Sequence, residues 1–223
     1  DQIFELNALP KSLAVIGSGV IAIELAQAMQ RLGVNTTVFA RSRKVGVLTS
    51  PKLQQLAQTE ISAELEIRFE VLPTKVKYLN DQVEISFIEN GQPKTLNVDY
   101  LLVATGRSSL LNTLKLENID TSFTDLKHLP VDSETKQLAD YPIFIIGDAY
   151  TDTPLQHEAA HEGKVSVKNA LNFPTIESCK TLTPLGIVFS SPEMAMVGQN
   201  FKQLQSAPIN FVIGEVSYVK QGR

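Results

Sequence analysis

The chain has 223 residues, 43% of them apolar, and a formal charge of −4 from 20 Lys and Arg against 24 Asp and Glu. Such a composition excludes disorder and collagen-like repeats, and at roughly 100–200 residues per domain it allows one or two domains with real cores. No run approaches the roughly 18–20 uncharged apolar residues of a membrane span, and mild acidity argues against a nucleic-acid surface, which wants a basic face.

A single cysteine, Cys179, excludes an internal disulfide framework and a metal cage built of cysteine alone. No basic and apolar secretory leader follows Asp1, so the expected location is the cytoplasm. The opening run from Asp1 to Lys11 reads as an interior linker, which predicts a fragment of a longer protein.

Leu13-Ala14-Val15-Ile16 is a short continuous apolar run of the kind found in strands buried on both faces. It enters Gly17-Ser18-Gly19 and then a helical pattern from Val20 to Leu32, closed by Gly33 as a natural C′ residue. Thr36 to Ala40 completes a β-α-β unit. Ser50-Pro51 opens a second helix reaching about Leu65, with Ser50 as N-cap and Pro51 at the first position. The period then changes to two over Lys75–Leu79, Val83–Ile88 and Lys94–Val98, an antiparallel meander broken at Asn80-Asp81 and Asn90-Gly91. Tyr100–Ala104 is again a buried run, stopping at Thr105-Gly106-Arg107. Residues 108–140 read as irregular and polar, before a last buried run at Ile143–Ile146 that meets Gly147-Asp148. A helix is expected over about Leu155–Leu171; from Thr183 the chemistry shifts again, with Gly186–Phe189, a break at Ser191-Pro192 and a strand near Phe211–Val219.

Three patterns carry possible chemistry. Gly17-x-Gly19-x-x-Ala22 between a strand and a helix suits a dinucleotide: Gly17 for the tight turn, Gly19 for close approach of a pyrophosphate, Ala22 for helix–sheet packing. The plainer alternative is a merely tight turn. Where an NAD site would place an acid at the end of the second strand stands Ala40, followed by Arg41-Ser42-Arg43. Those arginines are either a clamp for a ribose 2′-phosphate or a solvated loop. His157-Glu158-x-x-His161 matches a zinc-hydrolase pattern, but a catalytic zinc wants a third protein ligand and only Glu177 could serve. The alternative is a polar helix start whose glutamates suit the dipole. Cys179, without a second cysteine or an obvious basic partner, reads as passive rather than as a catalytic thiol.

The ordered segments GSGVIAIELAQAMQRLGVNTTVFARS (17–42), ATGR (104–107), FIIGDA (144–149), HEAAHEGKV (157–165) and TPLGIVFSSPEMAMVG (183–198) resemble the class I pyridine nucleotide-disulfide oxidoreductases. Within these the chain is most similar to dihydrolipoamide dehydrogenase-like flavoproteins. The resemblance implies an α/β fold: a Rossmann-like NAD(P)-binding domain with parallel sheet and antiparallel meander over 1–107, a central FAD-facing segment over 108–178, and a truncated α+β start of the dimer-interface domain over 179–223. It implies FAD with NADP or NAD as cofactors, and a homodimeric parent enzyme acting on a dithiol, disulfide or lipoyl-protein substrate. The fragment alone would be inactive, since the paired redox cysteines are not in it.

Carried over by motif, Gly17, Gly19 and Ala22 would meet the dinucleotide pyrophosphate. Glu24 would pair with a lysine beside the flavin, Val76 and Gly106 would line the nicotinamide nucleotide through their backbones, Asp148 would hold the flavin's ribityl chain, and the Gln156 backbone would meet the flavin edge. Arg41 falls where NADP-dependent relatives carry a phosphate-binding arginine; their second arginine corresponds to Val47, leaving Arg43 to reach round. Ser108-Ser109 replaces the usual Pro-Asn. Other readings are an NADPH-dependent disulfide or mercuric reductase-like flavoenzyme, a stand-alone nucleotide-binding module, and a zinc hydrolase using His157 and His161.

Overall fold

A computed structural model describes residues 2–150, 155–178 and 182–217. In chain order the elements are β1 (Ser12–Ile16), α1 (Val20–Arg31), β2 (Asn35–Ala40), α2 (Pro51–Ser62), β3 (Glu66–Phe69), β4 (Pro73–Leu79), β5 (Gln82–Glu89), β6 (Gln92–Val98), β7 (Tyr100–Val103), α3 (Gln156–Asn172), β8 (Leu185–Val188), β9 (Met194–Val197) and α4 (Phe201–Ser206). They make two compact units, Asp1–Thr105 with Leu185–Arg223, and Gly106–Pro184. Within 179–223, expected as the start of the dimer-interface domain, the part from Leu185 groups with the first unit.

In the first unit β3, β2, β1 and β7 form a parallel sheet in that order. The apolar run of β1 is continuous because both its faces are covered. Leu13 and Val15 pack with Ile23 and Ala26 of α1 and Ile61 of α2, while Ala14 faces Phe39, Ile85, Phe87 and Val98 on the other side. That second cover is the expected antiparallel meander, β4-β5-β6. Phe87 of the meander meets Phe39 of β2 edge-on at 5.1 Å between centroids. Both meander turns need left-handed backbone, and Asn80, Asp81, Asn90 and Gly91 all adopt positive φ, as Asn, Asp and Gly do most readily.

Helix α1 ends as its sequence requires. The Gly33 N–H donates to Gln30 O and the Val34 N–H to Met29 O, both at 3.0 Å, a Schellman closure around a Gly at φ 89°. Ser50 stands at the N-cap of α2 with Pro51 at the first turn, but its hydroxyl makes no capping bond.

The second unit differs more from expectation. The stretch 108–140 holds short 3₁₀ turns over Leu111–Thr113, Leu116–Asn118 and Thr121–Thr124, and it supplies Leu111, Leu116, Phe123, Leu129 and Leu138 to a small core completed by Ile145. The buried run Ile143–Ile146 forms no strand. Phe144 makes a single bridge to Gln137, and the run is cut by Pro142 before it and by Gly147 at φ 57° after it. Its apolar residues serve this small core instead of a sheet.

The strand expected near Phe211–Val219 is also absent across 211–217, where Val212 is 97% exposed. An alternating pattern becomes a strand only when it pairs with another, and residues 211–217 pair with neither strand of the β8–β9 hairpin. Residues 218–219 lie outside the described residues. No helix among the described residues is long and apolar enough to cross a membrane.

Candidate nucleotide-binding site

The glycine-rich turn sits at the carboxyl end of β1, between β2 and β7. The Gly17 N–H donates to Phe39 O at 2.9 Å, and the Ala104 N–H donates to Ile16 O at 2.9 Å. Gly17 has φ 125°, and a Cβ there would lie 2.4 Å from Ala104 O, so no other residue fits. Gly19 differs in kind. It is the N-cap of α1 at φ −75°, nothing lies within 4 Å of its Cβ position, and no side chain caps the helix. The start of α1 at Gly19 is therefore open and uncapped, with the positive end of the helix dipole behind it. Ala22 is fully buried, its Cβ 3.5 Å from where a Gly17 Cβ would stand, and so keeps α1 close to the sheet.

Beyond β2 the chain turns through Arg41 and Arg43. The Arg41 side chain has no hydrogen bond or ion pair among the described residues, whereas Arg43 is engaged. Its guanidinium lies 5.3 Å from the Phe69 ring centroid and 3.9 Å from a Glu70 carboxylate oxygen. The loop is joined to the glycine turn: Ser18 Oγ donates to Lys44 O at 2.6 Å and the Gly46 N–H to Ser18 O at 2.9 Å.

Glu24 and Gln27, on α1, reach the β8–β9 hairpin. Glu24 Oε1 accepts the Phe189 N–H at 2.8 Å. Gln27 accepts the Ser191 N–H at 2.7 Å and donates to Ser191 O at 2.9 Å. Gln27 also donates to Glu64, which binds Arg31 by two hydrogen bonds at 2.6 and 2.9 Å. The Arg31 guanidinium holds the Glu64 carboxyl below the usual carboxylate range.

Val76 lies elsewhere in this unit. It sits in β4 and lines an open cleft of about 640 Å³ with Tyr78, Asp99 and Tyr100. Tyr100 pairs with Leu13 while Val103 pairs with Ile16, so the cleft opens at the end of β7 opposite Gly17. The Asp81 carboxylate beside Tyr78 raises that phenol above its ordinary value.

The second unit holds the remaining candidates. Gly106, at φ 124°, has nothing within 4 Å of its Cβ position. Arg107 donates to Asp148 Oδ2 at 3.2 Å, and Ser109 Oγ to Ala149 O at 2.6 Å, so the serine replacing the usual turn residues ties down the Asp148 loop. The loop is also held from beneath. The Gly147 N–H donates to Glu162 Oε2 at 2.7 Å, and Lys136 Nζ lies 2.8 Å from Glu162 Oε1. A Cβ on Gly147 would meet the Ala159 Cβ at 2.9 Å. Gln156 is the exposed first residue of α3, whose N-cap, Leu155, offers no side-chain oxygen.

Sequence reasoning passed over Glu162 and Lys136. The signal was a carboxylate at the buried spacing of α3, whose buried residues are Glu158, Glu162, Ser166 and Asn169.

His157 and His161 share α3, with His157 Nε2 3.9 Å from Glu158. Glu177, the one candidate third ligand, is bound by Lys168, and its N–H and C=O are bonded to Asn169. Among the described residues no three His, Cys, Asp or Glu side chains converge on one point fit for a metal. Cys179 lies outside the described residues.

Known proteins agree with this architecture. Dihydrolipoyl dehydrogenase of Geobacillus stearothermophilus is 28% identical over 219 residues, which are 98% of this chain and 46% of that protein. Mercuric reductase of Staphylococcus aureus is 31% identical over 200 residues, 89% of this chain and 36% of the reductase. The crystal structure of LpdA from Mycobacterium tuberculosis superposes with a TM-score of 0.76 at 24% identity, covering 92% of this chain and 44% of LpdA, which is a likeness of fold. The chain spans about half the length of the dihydrolipoyl dehydrogenases it matches. Residues 1–163 match the family profile described as pyridine nucleotide-disulphide oxidoreductase, whose members use FAD and a nicotinamide dinucleotide. With its glycine turn at the carboxyl end of a parallel strand and most of its length inside that match, the chain belongs to the pyridine nucleotide-disulphide oxidoreductase family.

Proposed function

We propose that this chain is the nicotinamide-binding and FAD-facing part of a cytoplasmic, homodimeric flavoenzyme that passes electrons between NADP(H), FAD and a dithiol or disulfide substrate in redox homeostasis. In this reading residues 1–107 bind the nicotinamide cofactor, 108–178 face the FAD, and 179–223 begin the dimer interface. The carrying observation is the uncapped start of α1 beside Gly19, with open space above it and the unengaged Arg41 on the adjoining loop. Those residues fit a dinucleotide: backbone N–H groups for the pyrophosphate and a guanidinium for a ribose phosphate.

Bound there, a nicotinamide supplies hydride chemistry to a flavin. The residues' own work is positional. Gly17 and Ala22 hold α1 close to the sheet, Gly19 leaves its start open, and Glu24 stands one turn into α1. Asp148, in the second unit, fits a polyol hydroxyl, since it is exposed and its Oδ1 has no partner among the described residues. The Gly106 and Gln156 backbones, in the second unit, are further proposed cofactor contacts, whereas Val76, in the cleft at the end of β7 opposite Gly17, stands apart from the glycine turn and is not among them.

Arg41 decides between nicotinamide cofactors. One charge-assisted contact to a phosphate is worth about 1.5–3 kcal/mol, roughly 10–100-fold in affinity. NADPH should therefore bind more tightly than NADH, and Arg41→Glu should abolish the difference. Fluorescence titration of both cofactors tests this, and equal affinities in the wild type would refute it. The likeness to a mercuric reductase favours a second reading, an NADPH-dependent reductase of disulfides or mercuric ion.

A further inference from the structure

We propose that Gln54 and Gln58, one turn apart on α2, are positioning residues that hold the loop from Arg41 to Leu48 in the shape that reads a phosphate on the cofactor's ribose. The proposal rests on the reading of Arg41 given above and adds the residues that make it effective.

Gln54 is 8% exposed and all its hydrogen-bonding groups are used on this loop. Its Oε1 accepts the Val45 N–H at 2.9 Å. Its Nε2 donates to Val45 O at 2.9 Å and to Leu48 O at 2.5 Å. Gln58 Nε2 donates to Arg43 O at 2.6 Å. Two neutral side chains of a regular helix thus fix the main chain at residues 43, 45 and 48.

From the other side, Ser18 binds Lys44 O and Gly46 N, and Val45 is fully buried as an apolar anchor. Arg43 is laid against Phe69 with Glu70 nearby. The segment carrying Arg41 is therefore clamped between the end of β2 and a loop bonded to α2 and to the glycine turn.

The physical consequence concerns order before binding. A flexible loop would have to lose its freedom when the phosphate arrives, and that loss would subtract from the charge-assisted contact. A loop already fixed by hydrogen bonds loses little. Neither glutamine is charged, so their effect on phosphate discrimination must act through the geometry of the loop rather than through attraction of the anion. Their loss should weaken NADPH and spare NADH, because only NADPH uses the loop's guanidinium.

The test is calorimetric titration of NADPH and NADH into the full chain as wild type, Gln54→Met and Gln58→Leu. Wild type is expected to favour NADPH. Gln54→Met should cut that preference by about fivefold to tenfold, and Gln58→Leu by about twofold to threefold, with the NADH Kd held within about twofold in each. Proportional weakening of both cofactors would show general loosening of the unit and overturn the proposal, as would an undiminished preference in both variants. Gln58 is only partly buried, so Gln58→Leu carries the test if Gln54→Met fails to fold. A wild type without preference would overturn the Arg41 reading itself, and this shows before any variant is made.

Discussion

Gly17 and Gly19 are two residues apart and identical in type, yet the structure predicts opposite consequences for replacing them with alanine. At position 17 the backbone has φ 125°, and the added Cβ would press to 2.4 Å from Ala104 O. Holding an L-residue in such a region costs about 1–3 kcal/mol. Pushing β7 away from β1 adds an overpacking cost of about 1–3 kcal/mol. Gly17→Ala should therefore destabilise the first unit by about 2–6 kcal/mol, a large part of a typical domain's 5–15 kcal/mol. Gly19→Ala meets neither penalty, because φ is −75° and nothing lies within 4 Å. Its stability cost should stay below about 1 kcal/mol, the difference between Gly and Ala at an N-cap. Its Cβ instead enters the space a pyrophosphate would fill, so cofactor binding should fall by at least about tenfold, the factor that 1.4 kcal/mol represents. Urea denaturation followed by circular dichroism, paired with cofactor titration, measures both effects. A Gly17→Ala protein as stable as wild type, or a Gly19→Ala protein that binds cofactor normally, would refute the division of labour.

Glu162→Ala should destabilise the second unit by about 2–4 kcal/mol, because it leaves Lys136 and the Gly147 N–H without their partner. Replacing both as Glu162→Leu with Lys136→Met should cost less, and urea midpoints of the single and double variants check this. The Thr135 N–H, first among its donors, holds the Asp132 carboxyl below its ordinary value. Its stabilisation is complete above the ordinary pKa of about 3.9 and is lost as pH falls through the lowered folded value. Asp132→Asn should therefore flatten the fall in stability with acid, as read from urea midpoints between about pH 5 and pH 2. Phe87→Ala should cost about 3–5 kcal/mol through the cavity left against Phe39, measurable by the same denaturation.

The first unit was legible because its signals are local and redundant. The run of β1, the glycine turn and the helix stop at Gly33 each belong to a few adjacent residues, and the meander announces itself by its period and its Asn-Asp and Asn-Gly turns. Glu66–Phe69 escaped because four residues, alternately charged and apolar, are too short to separate from a helix tail, yet they form the edge strand β3. Met194–Val197 escaped because its partner, β8, is what makes it a strand. The apolar run Ile143–Ile146 is the converse case. Burial was real, but a few core side chains bury a run as well as a sheet does.

In the site, glycines and arginines could be named from the sequence because their chemistry is intrinsic. The glutamines of α2 could not, since an amide becomes informative only when its partners are known.

Helix α3 bears on how this fold could be altered. Its buried side carries Glu158, Glu162, Ser166 and Asn169, while Val167 and Leu171 are 60% and 81% exposed. Hydrophobic patterning would seat it the wrong way round. An apolar stripe tolerates small slips, because one oily contact substitutes for another. A stripe of polar groups does not: moving α3 by one residue turns each side chain about 100° away and strands Glu162 from Gly147 and Asn169 from Glu177. The helix is a key cut for one lock, and substitutions meant to improve its hydrophobicity would remove the teeth that set the Asp148 loop.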